Sequence, residues 1–450
     1  MTFTPRNAVS LVGVAIATAM ATLFLTLASL QFFGYLTNPY IGLLVYVAVP
    51  TVFVLGLLLI PAGAWWAKRR APIGGEPPDW PVVDLRNARQ RTVVFAVFAL
   101  TVVNLAIVSV AAYGGVHYME SPAFCGQVCH TTMQPQYVAH QNSSHARVAC
   151  VQCHVGPGAG AFVEAKLAGT RQLAGVISGH IPRPVPSPRN LIRPARDTCE
   201  QCHFTERFRG DVLREIREYA DDEKNSETVT TLLMHVGGGS SALGVGRGIH
   251  WHMNLDNQVE FVTTDPKGEV VPYVKVTDRQ GGVREYFAEG VSPGQIPSGS
   301  RRIMDCIDCH NRPAHVIQPS AGRAIDITMG QGRIPRELPF ARREAVKAVS
   351  GPWADEAAAR IGIDRQLRAF YRDRSADERL VARAVAATQD VWAHNVFPAM
   401  RVTWGTYPNQ IGHLDAPGCF RCHDDNHKTR EGRVLSQDCE LCHAMPGTGP

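Results

Sequence analysis

All twelve cysteines of this chain fall into six short repeats, each closed by a histidine. The repeats are Cys125, Cys129 and His130; Cys150, Cys153 and His154; Cys199, Cys202 and His203; Cys306, Cys309 and His310; Cys419, Cys422 and His423; and Cys439, Cys442 and His443. Five are strict CxxCH, and the first carries one extra residue between its cysteines. The order has a chemical reason. Two thiols form thioethers with the two vinyl groups of a heme, and the next imidazole ligates the iron. Disulfides explain the pattern poorly, because cysteines two or three residues apart seldom cross-link well. Zinc ribbons pair CxxC units but need no histidine after each pair. The reading is six covalently attached hemes c, with no thiol left for a disulfide. A fold of this kind fills much of its interior with hemes, so short helices and irregular loops are expected around them.

The amino-terminal part reads as membrane. No charged residue occurs between Arg6 and Lys68, and three apolar runs cover about 8–33, 40–66 and 92–113. Each is long enough to cross a bilayer at roughly 20 residues per span. A cleaved leader would have a shorter apolar core and no second span directly behind it. Lys68, Arg69, Arg70, Arg86, Arg89 and Arg91 all lie between runs two and three. The positive-inside rule puts that loop and the N-terminus in the cytoplasm and everything after run three outside. Heme attachment belongs to that outer compartment, so orientation and motifs agree. The expected location is the inner membrane of a bacterium, with the heme region periplasmic. The formal charge of +5 says little about partners, since each heme adds two propionates. No basic stripe with interleaved aromatics points to nucleic acid.

The expected organisation is mainly α with irregular loops: three transmembrane helices, then a multiheme region carrying a small antiparallel β insertion. Residues 1–118 form the anchor, 119–205 a three-heme region, 206–300 a heme-free insertion, 301–335 the fourth heme site, 336–395 a helical insertion and 396–450 a two-heme end. Within 206–300, strands Val259–Thr264, Val270–Thr277 and Val283–Phe287 alternate around turns at Asp265–Gly268 and Asp278–Gly282. Ser375 and Glu378 read as a capping box opening a helix toward Trp392. Cys125 follows run three by about twelve residues, roughly 18 Å if helical, which holds the first heme near the membrane and suits a donor dissolved in the bilayer.

The six motif histidines are the proximal iron ligands. Eleven others remain, at 117, 140, 145, 180, 235, 250, 252, 315, 394, 413 and 427. A second imidazole on an iron makes it low-spin and suited to electron transfer, whereas an open position admits a substrate. His145, His315, His413 and His427 lie close to motifs, and His252 and His235 follow Gly-rich segments of the first insertion. Of these, His145, His315, His413, His427 and His252 are the distal candidates. Met133, three residues after His130, is a candidate thioether ligand at the first heme.

The stretch from Phe124 to Lys166 resembles the NapC/NirT family of membrane-anchored periplasmic quinol dehydrogenases, the group that includes NrfH and CymA. The matching features are a heme motif just outside a span, a Met shortly after its His, then Ser144, His145, the Cys150 motif and Lys166 twelve residues after His154. The resemblance implies oxidation of menaquinol or ubiquinol and onward transfer to a periplasmic cytochrome or reductase. It implies Met133 or an open face at heme one, His145 as a distal ligand to another heme, and Lys166 in the quinol pocket. Departures are plain. There are three spans in place of one, the first motif is longer and Met133 is displaced by one. The family's acidic pocket residue falls on Leu173, beside Gln172. The C-terminal half exceeds the family's four-heme core and resembles larger inner-membrane multiheme cytochromes. The function so expected is quinol oxidation and heme-to-heme transfer in contact with the bilayer and quinol pool. The competing readings are a relay subunit of a larger membrane complex and a multiheme terminal reductase.

Overall fold

The computed structural model describes residues 8–36, 39–69, 85–128, 130–155, 158–187, 198–204, 208, 210–237, 248–254 and 257–445. Cys129, Arg70 and the side chain of His130 lie outside the described residues. The chain divides into two units, 1–130 and 131–450.

The first unit is helical. α1 spans Ala8–Phe32 and packs along α2, Val49–Arg69. A short helix, Pro39–Leu43, and a π turn, Leu44–Ala48, lead into α2. Pro50 has no N–H to return to the preceding turn, so the wider turn sits where an α-helical bond is missing. Gly13 and Gly56 let α1 and α2 touch: a Cβ at Gly13 would come within 2.8 Å of the Gly56 carbonyl oxygen. Ser10 Oγ donates to Ile60 O at 2.8 Å. α3, Ala88–Met119, adds Ile107 and Ala111 to the small core of Phe24, Val45 and Phe53. Three helices in this unit are long and apolar enough to cross a membrane, at Ala8–Phe32, Ile41–Trp66 and Ala88–Met119.

In the second unit α4, His130–Gln141, and α5, Ala159–Ile177, flank a short helix, Cys150–His154. Strands β1, Asp211–Tyr219, and β2, Glu227–His235, form a hairpin, to which β7, His443–Ala444, adds a third strand. The expected meander is present as β3, Gln258–Thr263, β4, Tyr273–Thr277, and β5, Val283–Phe287, with β6, Ser300–Ile303, on the far side of β3. β4 starts three residues later than its sequence pattern indicated, just past Pro272, which has no N–H to give a ladder. Four helices follow: α6, Ala321–Gly330; α7, Ala341–Val349; α8, Glu356–Arg372; and α9, Glu378–Asn395. α9 is capped by Asp377, which accepts from Arg379 N at 2.8 Å. The Ser375 box is not the cap, because Ser375 sits at φ +48°, outside the extended conformation an N-cap needs. Ile325, Leu338, Ile363, Leu367 and Trp392 close the core of these helices. The architecture is therefore mostly helical, with three candidate spans and small antiparallel sheets.

Candidate multiheme electron-transfer site

Each described motif presents its cysteines on a short helical turn. Cys150–His154 and Cys306–Cys309 are α-helical, whereas Gly418–Arg421 and Cys439–Leu441 are 3₁₀. The i, i+3 spacing keeps both thiols on one side of such a turn. The Cys306 turn is fixed by a capping box between Asp305 and Asp308, and Arg302 Nε donates to buried Asp308 at 3.0 Å. Motif one differs in the way its extra residue requires. Cys125 lies on a π turn, Phe124–Val128, which takes one more residue per hydrogen-bonded loop than an α turn. Phe124 packs edge-on to Tyr118, with ring centres 5.4 Å apart.

Five motif histidines each face a second imidazole. Ring centres are 6.1 Å apart for His154 and His315, 6.1 Å for His203 and His145, and 6.2 Å for His310 and His250. They are 6.0 Å apart for His423 and His252, and 6.2 Å for His443 and His413. Two metal–imidazole bonds of roughly 2 Å each, with the ring radius added on both sides, separate ring centres by about 6 Å. The spacing fits one iron between each pair. It leaves no room for a direct ring-to-ring hydrogen bond.

Backbone carbonyls fix the tautomers. Nδ1 donates to Gln136 O at 3.0 Å from His315, to Val236 O at 3.0 Å from His250, and to Ile249 O at 3.1 Å from His252. His423 donates to Ser436 O at 2.9 Å and His145 to Pro313 O at 3.3 Å. A donated Nδ1–H leaves the Nε2 lone pair for a metal. Burial keeps the rings neutral. It lowers His154, His250, His252, His310 and His443, and with the Arg312 charge takes His315 down to about 4. Arg312 is itself buried, donates through Nε to His315 O at 2.7 Å, and lies 4.3 Å over the Tyr407 ring. Burial pushes the Cys309 thiol up to about 11 and Cys422 up to about 12. Among the described residues no three His, Cys, Asp or Glu side chains converge on a metal-ion site.

His427 stands apart from the other sequence candidates. Its Nδ1 bonds Asp424 Oδ1 at 2.8 Å and its Nε2 bonds Val271 O at 2.6 Å. Both nitrogens are occupied by these bonds, and the ring is buried. His140 is similar, with Nε2 on Val148 O at 3.0 Å and Nδ1 on Gln141 Nε2 at 3.2 Å. His235 pairs with Asp211 at 2.9 Å. His250, in turn, lay outside the sequence candidates. The signal available was its place beside His252: both stand on one 3₁₀ turn, Ile249–Met253. The insertion read as heme-free thus supplies two of the facing imidazoles. Met133 is half-buried on α4, one turn beyond His130. Lys166 is half-buried on α5, its Nζ 4.9 Å from the Phe162 ring centre.

Candidate spans joined to repeated heme motifs with facing imidazoles define a membrane-anchored multiheme c-type cytochrome. The profile of the NapC/NirT cytochrome c family, N-terminal region, matches residues 87–184. The chain is 39% identical over 450 aligned residues to the cytochrome c-type protein ImcH of Geobacter sulfurreducens, covering 98% of this chain and 88% of that one. It belongs to the NapC/NirT cytochrome c family, and its work is electron transfer. No solved structure matches it.

Proposed function

We propose that this cytochrome oxidises a quinol at the periplasmic face of a bacterial inner membrane and passes the electrons through six hemes c to a periplasmic redox partner. The facing of five motif histidines by five further imidazoles, all at 6.0–6.2 Å, carries this reading. A hydrolytic or reductive site needs an iron with an open position; paired imidazoles favour transfer of electrons alone. The thioether cysteines are Cys125 and Cys129, Cys150 and Cys153, Cys199 and Cys202, Cys306 and Cys309, Cys419 and Cys422, and Cys439 and Cys442. The iron pairs are His154 with His315, His203 with His145, His310 with His250, His423 with His252, and His443 with His413. His130 and Met133 belong to heme one.

Each heme supplies a one-electron iron couple when bound. The chain's residues hold it, set its axial field and exclude water. Quinol oxidation also releases two protons, and Lys166 is the group assigned to the quinol oxygen, where its ammonium favours proton loss. Lys68, Arg69, Arg86, Arg89 and Arg91 between the second and third spans support a cytoplasmic loop and an outer heme region. The test is reduction of purified protein in detergent by a menaquinol analogue. Rapid reduction that Lys166→Gln slows at least tenfold supports the reading. Failure of the wild type to be reduced, with all hemes reducible by dithionite, overturns it.

A further inference from the structure

The five described imidazole pairs are not scattered through the second unit. The segments that build each pair also build the next. The loop before Cys150 of the second motif supplies His145 to His203 of the third. His145, which faces His203 of the third site, bonds Pro313 O, just past the fourth motif, at 3.3 Å. One 3₁₀ turn, Ile249–Met253, hands His250 to the fourth site and His252 to the fifth. Arg421, inside the fifth motif, donates through Nη2 to Asp308 O inside the fourth at 2.7 Å. His413 of the sixth site stacks on Phe420 inside the fifth motif, with ring centres 4.2 Å apart. His423 of the fifth donates to Ser436 O, three residues before Cys439. One further link joins sites that are not successive in the chain: His315, which follows the fourth motif, faces His154 of the second. Among the described residues the sixth motif runs into the β1–β2 hairpin, through the pairing of His443 with Met234. There Cys439, Glu440 and Leu441 are exposed.

From these contacts we infer that sites two to six stand in single file in chain order and that electrons leave the protein at site six. The inference rests on the electron-transfer reading above. Tunnelling falls steeply with distance, so successive neighbours dominate the route. At each step one ferrous iron becomes ferric and the next ferric iron becomes ferrous. At site six the electron reduces a one-electron protein acceptor by one unit. The quinol supplies two electrons and releases two protons.

The structure also offers a spectroscopic handle on the order. The imidazole planes are nearly parallel at site four, 3° apart, and perpendicular at site five, 89° apart. Perpendicular and parallel axial planes give low-spin ferric hemes different g-anisotropy. In Cys439→Ala/Cys442→Ala, a protein with five hemes by pyridine hemochrome, the strongly anisotropic signal of site five should change while the site-four signal stays. Re-oxidation of the pre-reduced variant by a soluble monoheme cytochrome c should slow at least 100-fold. A site-four signal altered as much as that of site five would overturn the file. Unchanged re-oxidation would overturn the exit. Should the double variant lose further hemes, His413→Met keeps heme six and raises its potential. Re-oxidation is then expected to slow, and a rate equal to wild type overturns the assignment. If the wild type takes no electrons from the quinol analogue, the quinol reading fails while the order, read by resonance and by dithionite-reduced protein, still stands or falls alone.

Discussion

The four helices α6–α9 and the heme-motif segments around them lie in one unit and are held by opposite means. In the helices, Ile325, Ile363, Leu367 and Trp392 are sealed by other side chains, and the ends are capped by Ser320, Asp355 and Asp377. Hydrophobic burial and capping suffice there. Around the motifs, Cys153, Cys202 and Cys439 are exposed. Imidazoles face each other with ring centres 6.0–6.2 Å apart. Those segments specify places for a prosthetic group, and the group completes the interior. A chain can thus carry a conventional core beside a region whose core is a set of cofactors.

The contrast predicts its own largest failure. Protein made without heme attachment should lose amide-exchange protection across 142–154 and 412–445, segments outside the apolar clusters of α6–α9 and of Phe397, Met400 and Tyr407. The α6–α9 core should retain most of its protection. Equal loss in both regions, by hydrogen exchange, would show that the helices depend on the hemes too.

A second variant attacks the helical side alone. Ile363 is fully buried, and Ile363→Ala should cost about 2–5 kcal/mol in chemical denaturation followed by far-UV circular dichroism. The heme count by pyridine hemochrome should stay at the wild-type value. A fall in heme count would tie the two regions together.

What the sequence could show divides along the same line. Local signals were legible. The motifs, the apolar spans and the strand Val283–Phe287 all depend on residues within one turn or one alternation. Of the imidazoles that face a motif histidine, His145, His315 and His413 sit near a motif in the chain, which is the local cue a sequence can carry. His250 was missed because its value comes from a turn that reaches two distant motifs at once. At His427 proximity to Cys422 said nothing of Asp424 and Val271, which the fold sets on either side of its ring. The hairpin β1–β2 was also missed. Leu213, Arg214, Glu215 and Arg217 are good helix formers, and only pairing with Glu227–His235 across the 220–226 connection, where Asn225 takes a positive φ, makes them a strand.

His427 then provides a sharper test at the boundary of the two regimes. If it serves packing, His427→Ala should leave the low-spin heme spectrum and the number of hemes unchanged. It should still destabilise the fold by about 1–3 kcal/mol, because Val271 O loses its partner in a buried site. Appearance of a high-spin heme in that variant would make it an iron ligand after all.

The smallest effect concerns the join between the helices and the β1–β2 hairpin. Glu227 accepts from Arg217 at 2.6 Å, Arg336 at 2.9 Å and Tyr219 Oη at 3.2 Å. Arg336 stands between α6 and α7, so this carboxylate links hairpin to helices. The Arg217 hydrogen bond, with that of Tyr219 and both guanidinium charges, holds Glu227 below its usual carboxylate range. A carboxyl depressed in the folded state stabilises at pH values above its unfolded pKa, about 4.3. That contribution disappears as pH falls through the lower folded value. Because the partners are partly exposed, the effect should be weaker than either substitution above and should shrink in salt. Glu227→Gln should therefore flatten the acid limb of the stability profile below about pH 4.3 and leave the neutral limb only slightly lowered. An acid limb as steep as wild type would place the acid sensitivity of this join elsewhere, with Asp222, which the Ser226 hydroxyl and backbone N–H hold below its usual range, as the next group to test.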